Sequence, residues 1–252
     1  MRRRFPKPRA GRKASAPAAL TLPDGSLTFT LQKDGFRTLR LSVHPDGSIR
    51  VRAPESTPLS AVFAFVESRR GWIERTLAFF AAHRPAAPVL ADGGTVWFLG
   101  RPFTVRAVPA AREVRPRLQG GELLLPCRNE ASLSRAFRLW RQSLAKSVLT
   151  RRLARLDAKV RAALNDDAVP TLTVRSLRRR WGSCSLRGNI VLAAQLISLP
   201  LPLLDYVLIH ELCHLRRMDH SPAFHALLLR LLPDARERRT ALRVWGLEHP
   251  RF

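Results

Sequence analysis

The sequence predicts an α+β fold in which a β-rich amino-terminal lobe precedes a mainly helical carboxy-terminal lobe. Short segments that alternate apolar and polar residues fill much of the first half, and apolar residues at helical spacing dominate the second. Single domains usually run to about 100 to 200 residues, so a chain of 252 residues can form two modest cores. We expect a disordered basic tail over residues 1–20, a β-rich lobe with one helix over 21–127 and a second lobe over 128–252.

The first lobe is predicted from two groups of strands. After the tail, which lacks hydrophobic periodicity, LTFTLQK, RTLRLSV and SIRVRA alternate, and HPDG forms a turn between the last two, which indicates a small antiparallel sheet. Residues 60–83 have near-helical spacing between Pro58 and Pro85 and predict one helix. TVWFLG, PFTVRAV, EVRPRL and ELLLP, separated by glycines, indicate a second strand group.

The second lobe begins with a long amphipathic pattern over residues 131–164. TLTVRSL and NIVLA predict two strands, and the segment WGSCS between them is interpreted as a compact turn. Three helices are expected over 203–215, 222–232 and 234–245. We see no internal sequence repeat.

The charge of the chain is strongly unbalanced. It has 44 Lys and Arg against 19 Asp and Glu, a net charge of +25, and only five of the basic residues are lysine. Such a charge attracts polyanions, although a genomic bias towards Arg codons would also raise the arginine content. Non-specific association with nucleic acid is therefore a possible property; it should weaken with salt and with deletion of residues 1–20.

The cysteine content and the hydropathy indicate the environment of the protein. Cys127, Cys184 and Cys213 are too few and too irregularly spaced for a disulfide framework, which favours a reducing cytoplasm. The basic amino terminus has no uninterrupted apolar core of signal-peptide length, and no later stretch reaches the 18 or so apolar residues of a membrane span. We expect a cytoplasmic protein without membrane partners.

Four of the seven histidines lie between residues 210 and 225. Within this stretch, HELCH has the pattern HExxH. On a helix His210 and His214 lie one turn apart on one face, so both imidazoles can reach one ion, and Glu211 lies about 100° further round. A pair of buried, hydrogen-bonded histidines is the alternative, but it would leave Glu211 partly buried without a partner. We therefore predict a zinc site.

The third ligand is predicted to be His220, six residues after His214, with the fourth position left to water. Proteins with HExxHxxGxxH use the same spacing, but Arg217 stands here at the glycine position, so the turn must be built differently. Glu237 is the alternative third ligand. His225 is expected at the surface or near the ligands, and Cys213 as a small buried thiol.

This arrangement predicts hydrolysis by metal-assisted general-base catalysis. Zinc lowers the pKa of a bound water, Glu211 removes its proton, and Glu211 then passes the proton to a leaving amine. The oxyanion donor is left open between an arginine near the site and a backbone N–H of the segment RWGSCS. Ser183 and Cys184 are poor candidates for nucleophiles because no dedicated base is predicted beside them. We expect the strand after this segment to line the cleft, where an extended substrate could pair with its edge.

The segment RRRWGSCSLRGNIVLAAQLISLPLPLLDYVLIHELCHLRRMDHSPAF resembles the YgjP-like metallopeptidase domain, and the resemblance extends upstream to RTLRLSVHPDGSIRVRAP and GWIERTL. It implies a zincin-like, gluzincin-like catalytic lobe with His210, His214 and His220 as zinc ligands and Glu211 catalytic. The pattern is also similar to SprT-type and WLM-type proteases, which act on proteins attached to DNA. Ala193, Ala194 and His225 depart from the family pattern, so we expect the substrate cleft to differ in shape from that of other members.

Three functions are compatible with these patterns. The first is a zinc endopeptidase, and the second a metal-dependent hydrolase of a phosphorylated small molecule such as a nucleotide, whose phosphate arginines would bind. The third is a basic nucleic-acid-associated protein with a structural zinc. A structural site would need a fourth protein ligand, for which only Cys213 or Glu237 is available.

Overall fold

The computed structural model describes residues 18–83, 90–110, 115–164, 170–177 and 180–249. The chain forms two compact units, residues 1–84 and 85–252, so the division falls well before the predicted boundary at residue 127. The reason is that the second strand group packs against the long helix: Val105 and Leu123 share a buried core with Leu133 and Phe137. Of the predicted tail, residues 1–17 lie outside the described residues, and residues 18–20 belong to the first strand.

The described residues of the first unit form four strands and two helices: β1 (Ala18–Thr21), β2 (Thr28–Asp34), β3 (Arg40–Val43), β4 (Ile49–Pro54), α1 (Leu59–Glu67) and α2 (Arg70–Ala82). The strand order is β1-β2-β4-β3. β2 and β4 pair in parallel, so the sheet is mixed and not wholly antiparallel as predicted. The predicted single helix over 60–83 is two helices, because the chain leaves helical geometry at Arg69, where φ is −111° and ψ is 5°.

In the second unit, the part of the chain that the structure describes forms seven strands and four α-helices: β5 (Thr95–Phe98), β6 (Arg101–Pro109), β7 (Arg117–Gln119), β8 (Glu122–Cys127), α3 (Glu130–Leu164), β9 (Thr171–Arg175), β10 (Gly182–Cys184), β11 (Asn189–Ala193), α4 (Leu201–Cys213), α5 (Pro222–Leu231) and α6 (Ala235–Glu248). A 3-10 helix over Ala194–Ser198 joins β11 to α4. The predicted α+β class is confirmed, and the described helices of both units include none with the length and apolarity that crossing a lipid bilayer requires.

The three sheets share one topology that the sequence does not reveal. In each, a strand pairs in parallel with the second strand of the hairpin that follows it: β2 with β4, β6 with β8 and β9 with β11. In the first two sheets an extra strand pairs antiparallel with the first strand of this unit, β1 with β2 and β5 with β6. The strand orders are therefore β1-β2-β4-β3 and β5-β6-β8-β7. The third sheet has the order β10-β11-β9, so β10 lies at an edge. The arrangement is therefore repeated although the sequence is not.

The start of α4 is held by the turn between β5 and β6. The Leu99 N–H donates to the carbonyl of Ile197 at 2.7 Å, and the Gly100 N–H donates to that of Ser198 at 3.2 Å. Gly100 has φ +79°, and a Cβ at this position would lie 2.9 Å from the Cα of Pro200, the residue before α4. Only glycine fits this conformation and this contact without strain.

Helix α4 is the centre of the larger core of the second unit. Its buried residues pack with Leu149 and Leu153 of α3 and with Leu192 of β11. Arg152 of α3 also makes a two-point ion pair with Asp205 of α4, in which Nε donates to Oδ1 at 2.6 Å. A helix packed in this way is a rigid support for side chains on its remaining face.

Candidate metal centre

The HExxH segment lies on the last turns of α4. This helix follows Pro200 and has a proline in its first turn, which suits a helix start because the proline nitrogen has no N–H to satisfy. It ends at Cys213, and His214 follows with φ −67° and ψ −17°, so its backbone is still close to helical. His210 and His214 therefore project from one face, as predicted, with ring centroids 4.9 Å apart.

The turn after α4 is built without a left-handed residue. The Arg216 and Arg217 N–H groups both donate to the carbonyl of Cys213, and Arg217 does not have positive φ. The carbonyl of Arg217 lies 2.8 Å from Nδ1 of His214. A protonated Nδ1 that donates there leaves Nε2 of His214 free to bind a metal, as is usual for ligating histidines. This explains how the chain reaches His220 without the glycine.

His220 is positioned by the start of α5. The Ser221 side chain caps this helix by accepting from the Phe224 N–H, and its hydroxyl also donates to Asp219 at 2.8 Å. Nε2 of His220 then lies 3.2 Å from Nε2 of His210, and its ring centroid lies 4.7 Å from that of His214. One nitrogen from each of the three imidazoles lies within 4.8 Å of those of the other two.

These distances are compatible with one divalent ion. Zinc–nitrogen bonds of about 2.0–2.1 Å at tetrahedral angles place two ligand nitrogens roughly 3.3 Å apart, close to the distance between His210 and His220. Burial lowers the pKa of His210 to about 4, and the charges of His214, His220 and Arg239 act in the same direction. A neutral imidazole is the form that binds a metal, so the residues present fit a zinc ion.

Phe224 supports all three imidazoles and was not identified from the sequence. Its side chain is fully buried, and its ring centroid lies 5.0, 4.6 and 5.0 Å from those of His210, His214 and His220. It packs nearly parallel to His214, at an angle of 25°. The sequence signal for its burial is the four-residue spacing between Phe224 and Leu228, which places both on the apolar face of α5.

Glu211 lies beside this cluster in an apolar environment. Its side chain is 5% exposed, and its Oε2 is buried without a hydrogen-bond partner. Burial raises its pKa to about 7, against the opposing charge of Arg180. A buried carboxylate without a partner is costly in a purely structural role, whereas a carboxylate with a pKa near neutrality is suited to accept and return a proton.

The segment interpreted as a compact turn contains strand β10, which packs beside α4. A Cβ on Gly182 would lie 2.7 Å from Oε1 of Glu211, so the absence of a side chain allows this close approach. β11 is the central strand of its sheet, so the expectation that the strand after the segment offers an edge is wrong. The edge strands are β10 and β9, and β10 is the one that contacts Glu211. A glycine inside a strand is a sequence signal for close contact with another group.

Replacing Gly182 with Ala is expected to displace the Glu211 carboxylate without removing the histidines. Because misplacement of a catalytic group by about 1 Å can reduce the rate 100-fold, we expect kcat to fall roughly 10- to 100-fold with unchanged metal content. Ser183→Ala, in the next position of β10, is the matched control. Steady-state kinetics and metal analysis measure both effects, and full activity in the Gly182→Ala variant would contradict the close contact.

The structure also locates the alternative candidates. Glu237 is exposed on α6 and is not among the described residues grouped with the histidines, and the fully buried Cys213 is not either. His225 is exposed, with its ring centroid 6.4 Å from that of His220. Burial and the charge of Glu211 raise the pKa of Cys184 to about 11, so its thiol stays protonated and is a poor nucleophile.

A buried HExxH helix and a third histidine within reach, in an α+β fold, define the class of metallopeptidase-like proteins. A comparison with protein families agrees: residues 37–244 match the YgjP-like metallopeptidase domain, and the chain belongs to this family. It is therefore a metallopeptidase by family, as the resemblance in its sequence implied.

One solved structure that is similar to this chain is the metallopeptidase zymogen of Pyrococcus abyssi abylysin. It is 22% identical, with a TM-score of 0.35, and the match covers 38% of this chain and 97% of the other. The search of curated proteins gave no match.

Proposed function

We propose that this protein is a zinc-dependent endopeptidase in which His210, His214 and His220 hold the metal and Glu211 is the general base. The observation that carries the proposal is the convergence of the three imidazoles beside a buried carboxylate whose Oε2 has no partner. Within the described residues this group contains no fourth side chain, which favours a catalytic site over a closed structural one. Family membership supports the peptide bond as the target.

The protein residues have distinct roles in this proposal. A bound zinc ion would polarise the scissile carbonyl and the attacking water. Glu211 accepts the proton of the water and delivers it to the leaving amine, while the Arg217 carbonyl keeps His214 oriented. The oxyanion is stabilised either by Arg180, whose charge acts on Glu211, or by a backbone N–H of β10.

An extended substrate would bind along β10. This strand lies at the edge of its sheet and packs against Glu211 through Gly182, so a peptide paired with it would pass close to the histidines. Backbone pairing provides affinity without dependence on sequence, and side-chain pockets then provide specificity.

Removal of the metal is expected to abolish peptide hydrolysis. Chelation followed by dialysis should reduce the cleavage of an unstructured protein such as casein to background, and one equivalent of zinc should restore it. Mass spectrometry of the products identifies the bonds that are cut, and a nucleotide panel tests the alternative of a phosphorylated small molecule. Peptide cleavage by the metal-free protein, or nucleotide hydrolysis without any peptide cleavage, would contradict the proposal.

Association with nucleic acid, near which the peptidase would act, is a second proposal. It rests on the net charge of +25 and on a surface depression of about 530 Å³ that Arg216, Arg217 and Arg230 line beside the histidine cluster. Non-specific phosphate contacts would make binding fall steeply with salt. A cytoplasmic location stays a prediction from the cysteine content.

A further inference from the structure

A cavity of about 860 Å³ opens beside the three histidines, and residues of α4, α5 and α6 line it. His210 and His220 form part of its wall, so a peptide held at the histidine cluster has room for a side chain inside it. Tyr206, Leu228 and Leu229 make another part of the wall apolar. The volume is ample for one amino-acid side chain.

The charges that line this cavity have one sign. Arg236 and Arg239 contribute positive charge from successive turns of α6. No carboxylate is among the described residues of the wall. A cationic rim on a partly apolar cavity favours a ligand that has a short aliphatic part and a negative charge.

The two arginines are available to a ligand. Neither guanidinium forms a hydrogen bond or an ion pair within the described part of the chain, and both side chains are exposed. The neighbouring Arg238, in contrast, donates to Asp234 at 2.8 Å and to the Pro202 carbonyl at 2.9 Å. Arg238 therefore has a structural role, whereas Arg236 and Arg239 have none among the described contacts.

Arg239 lines the same cavity as His210 and His220 and acts on them electrostatically. Its positive charge acts to lower the pKa of His210, His220 and Tyr206. A ligand group bound by Arg239 would consequently lie close to the peptide bond presented to the metal.

We propose that this cavity, the carboxylate pocket (Tyr206, His225, Leu229, Arg236 and Arg239), selects substrates that carry a carboxylate next to the scissile bond, with Arg239 as its main specificity determinant. The inference rests on the proposed peptidase function. The carboxylate comes either from an Asp or Glu side chain or from the carboxy terminus of the substrate.

Quenched fluorescent peptides test this directly. One set, with an amidated end, carries Glu, Gln or Lys at each position flanking the cleaved bond, and a second set ends in a free carboxylate one residue beyond that bond. If the pocket binds an acidic side chain, we expect the zinc-loaded protein to cleave the Glu peptide with a kcat/KM roughly tenfold higher than that of the Gln peptide at one position. If it binds the carboxy terminus, we expect the same difference between the peptide with a free carboxylate and its amidated counterpart. Arg239→Gln should remove the preference, and Arg239→Glu should reverse it in favour of Lys.

Arg243→Gln is the matched control, because it removes the same charge from α6 outside the pocket. It should keep the preference of the wild-type protein. Equal kcat/KM values for all peptides, or an acidic preference that persists in Arg239→Glu, would overturn the carboxylate pocket while leaving the peptidase function intact.

Binding provides a measurement that does not depend on turnover. On the zinc-loaded Glu211→Gln background, fluorescence anisotropy should show roughly tenfold tighter binding of the preferred carboxylate peptide than of its Gln or amidated counterpart, and Arg239→Glu should abolish the difference. If this pattern appears but the wild-type protein cleaves none of the peptides, the pocket stands and the peptidase proposal fails. Equal binding of all peptides would refute the pocket whatever the activity.

Discussion

Replacing Glu211 with Gln is expected to reduce peptide hydrolysis at least about 1,000-fold while one zinc ion per chain remains bound. General acid–base catalysis typically contributes 100- to 10,000-fold, and Glu211 is assigned both the proton removal and the proton delivery. The amide has almost the shape of the carboxylate, so the contact with Gly182 and the histidine geometry should persist. The measurement combines kcat from peptide cleavage with metal analysis of the same preparation.

Glu237→Gln is the matched control. Glu237 is exposed on α6 and was the alternative third ligand in the sequence, so its variant should keep both zinc and turnover. Substantial turnover by Glu211→Gln would refute the general-base role, and loss of zinc from Glu237→Gln would revive the alternative ligand.

Replacing His210 with Ala is expected to remove both zinc and activity. A site that loses one of three protein ligands binds its ion much more weakly. Loss of a residue that only hydrogen-bonds to a ligand already lowers metal affinity by up to about 100-fold, so we expect a larger decrease in zinc affinity here. Competition with a chromogenic chelator measures the affinity. Thermal unfolding with and without zinc adds a second measurement, because an ion bound only by the folded state raises Tm.

The control for this experiment is His225→Ala, which removes a nearby imidazole that lies outside the three-histidine group. Its zinc affinity should match that of the wild-type protein. Equal zinc content in the His210→Ala and wild-type proteins would exclude His210 as a ligand and would remove the main support for the proposed function.

Several features of this protein were predictable because they depend on local chemistry. The six-residue step from His214 to His220 indicated a third histidine near the pair, and the structure brings the three rings together. The apolar run before His210 indicated a buried helix, and α4 is buried along most of its length. Helical periodicity also located α3, α5 and α6 to within a few residues.

Other features were not predictable because they depend on pairing between distant segments. Alternation reveals a strand but not its partner, so the parallel pairing of β2 with β4 was missed and the sheet was predicted as antiparallel. The division of the chain into two compact units near residue 84 depends on packing in the same way, since only packing shows that α3 covers the strands before it. The close contact of Gly182 with Glu211 joins residues 29 positions apart.

The sequence alone thus predicted a metal-binding set of histidines, a carboxylate beside them and most of the helices, because residue type and spacing along one helix indicate these properties. Only the tertiary structure revealed that Phe224 and the Arg217 carbonyl orient the imidazoles. It also revealed the burial of Glu211 and the position of Arg239 beside the site. These features arise where separate elements pack together, and no local pattern in the chain encodes that packing.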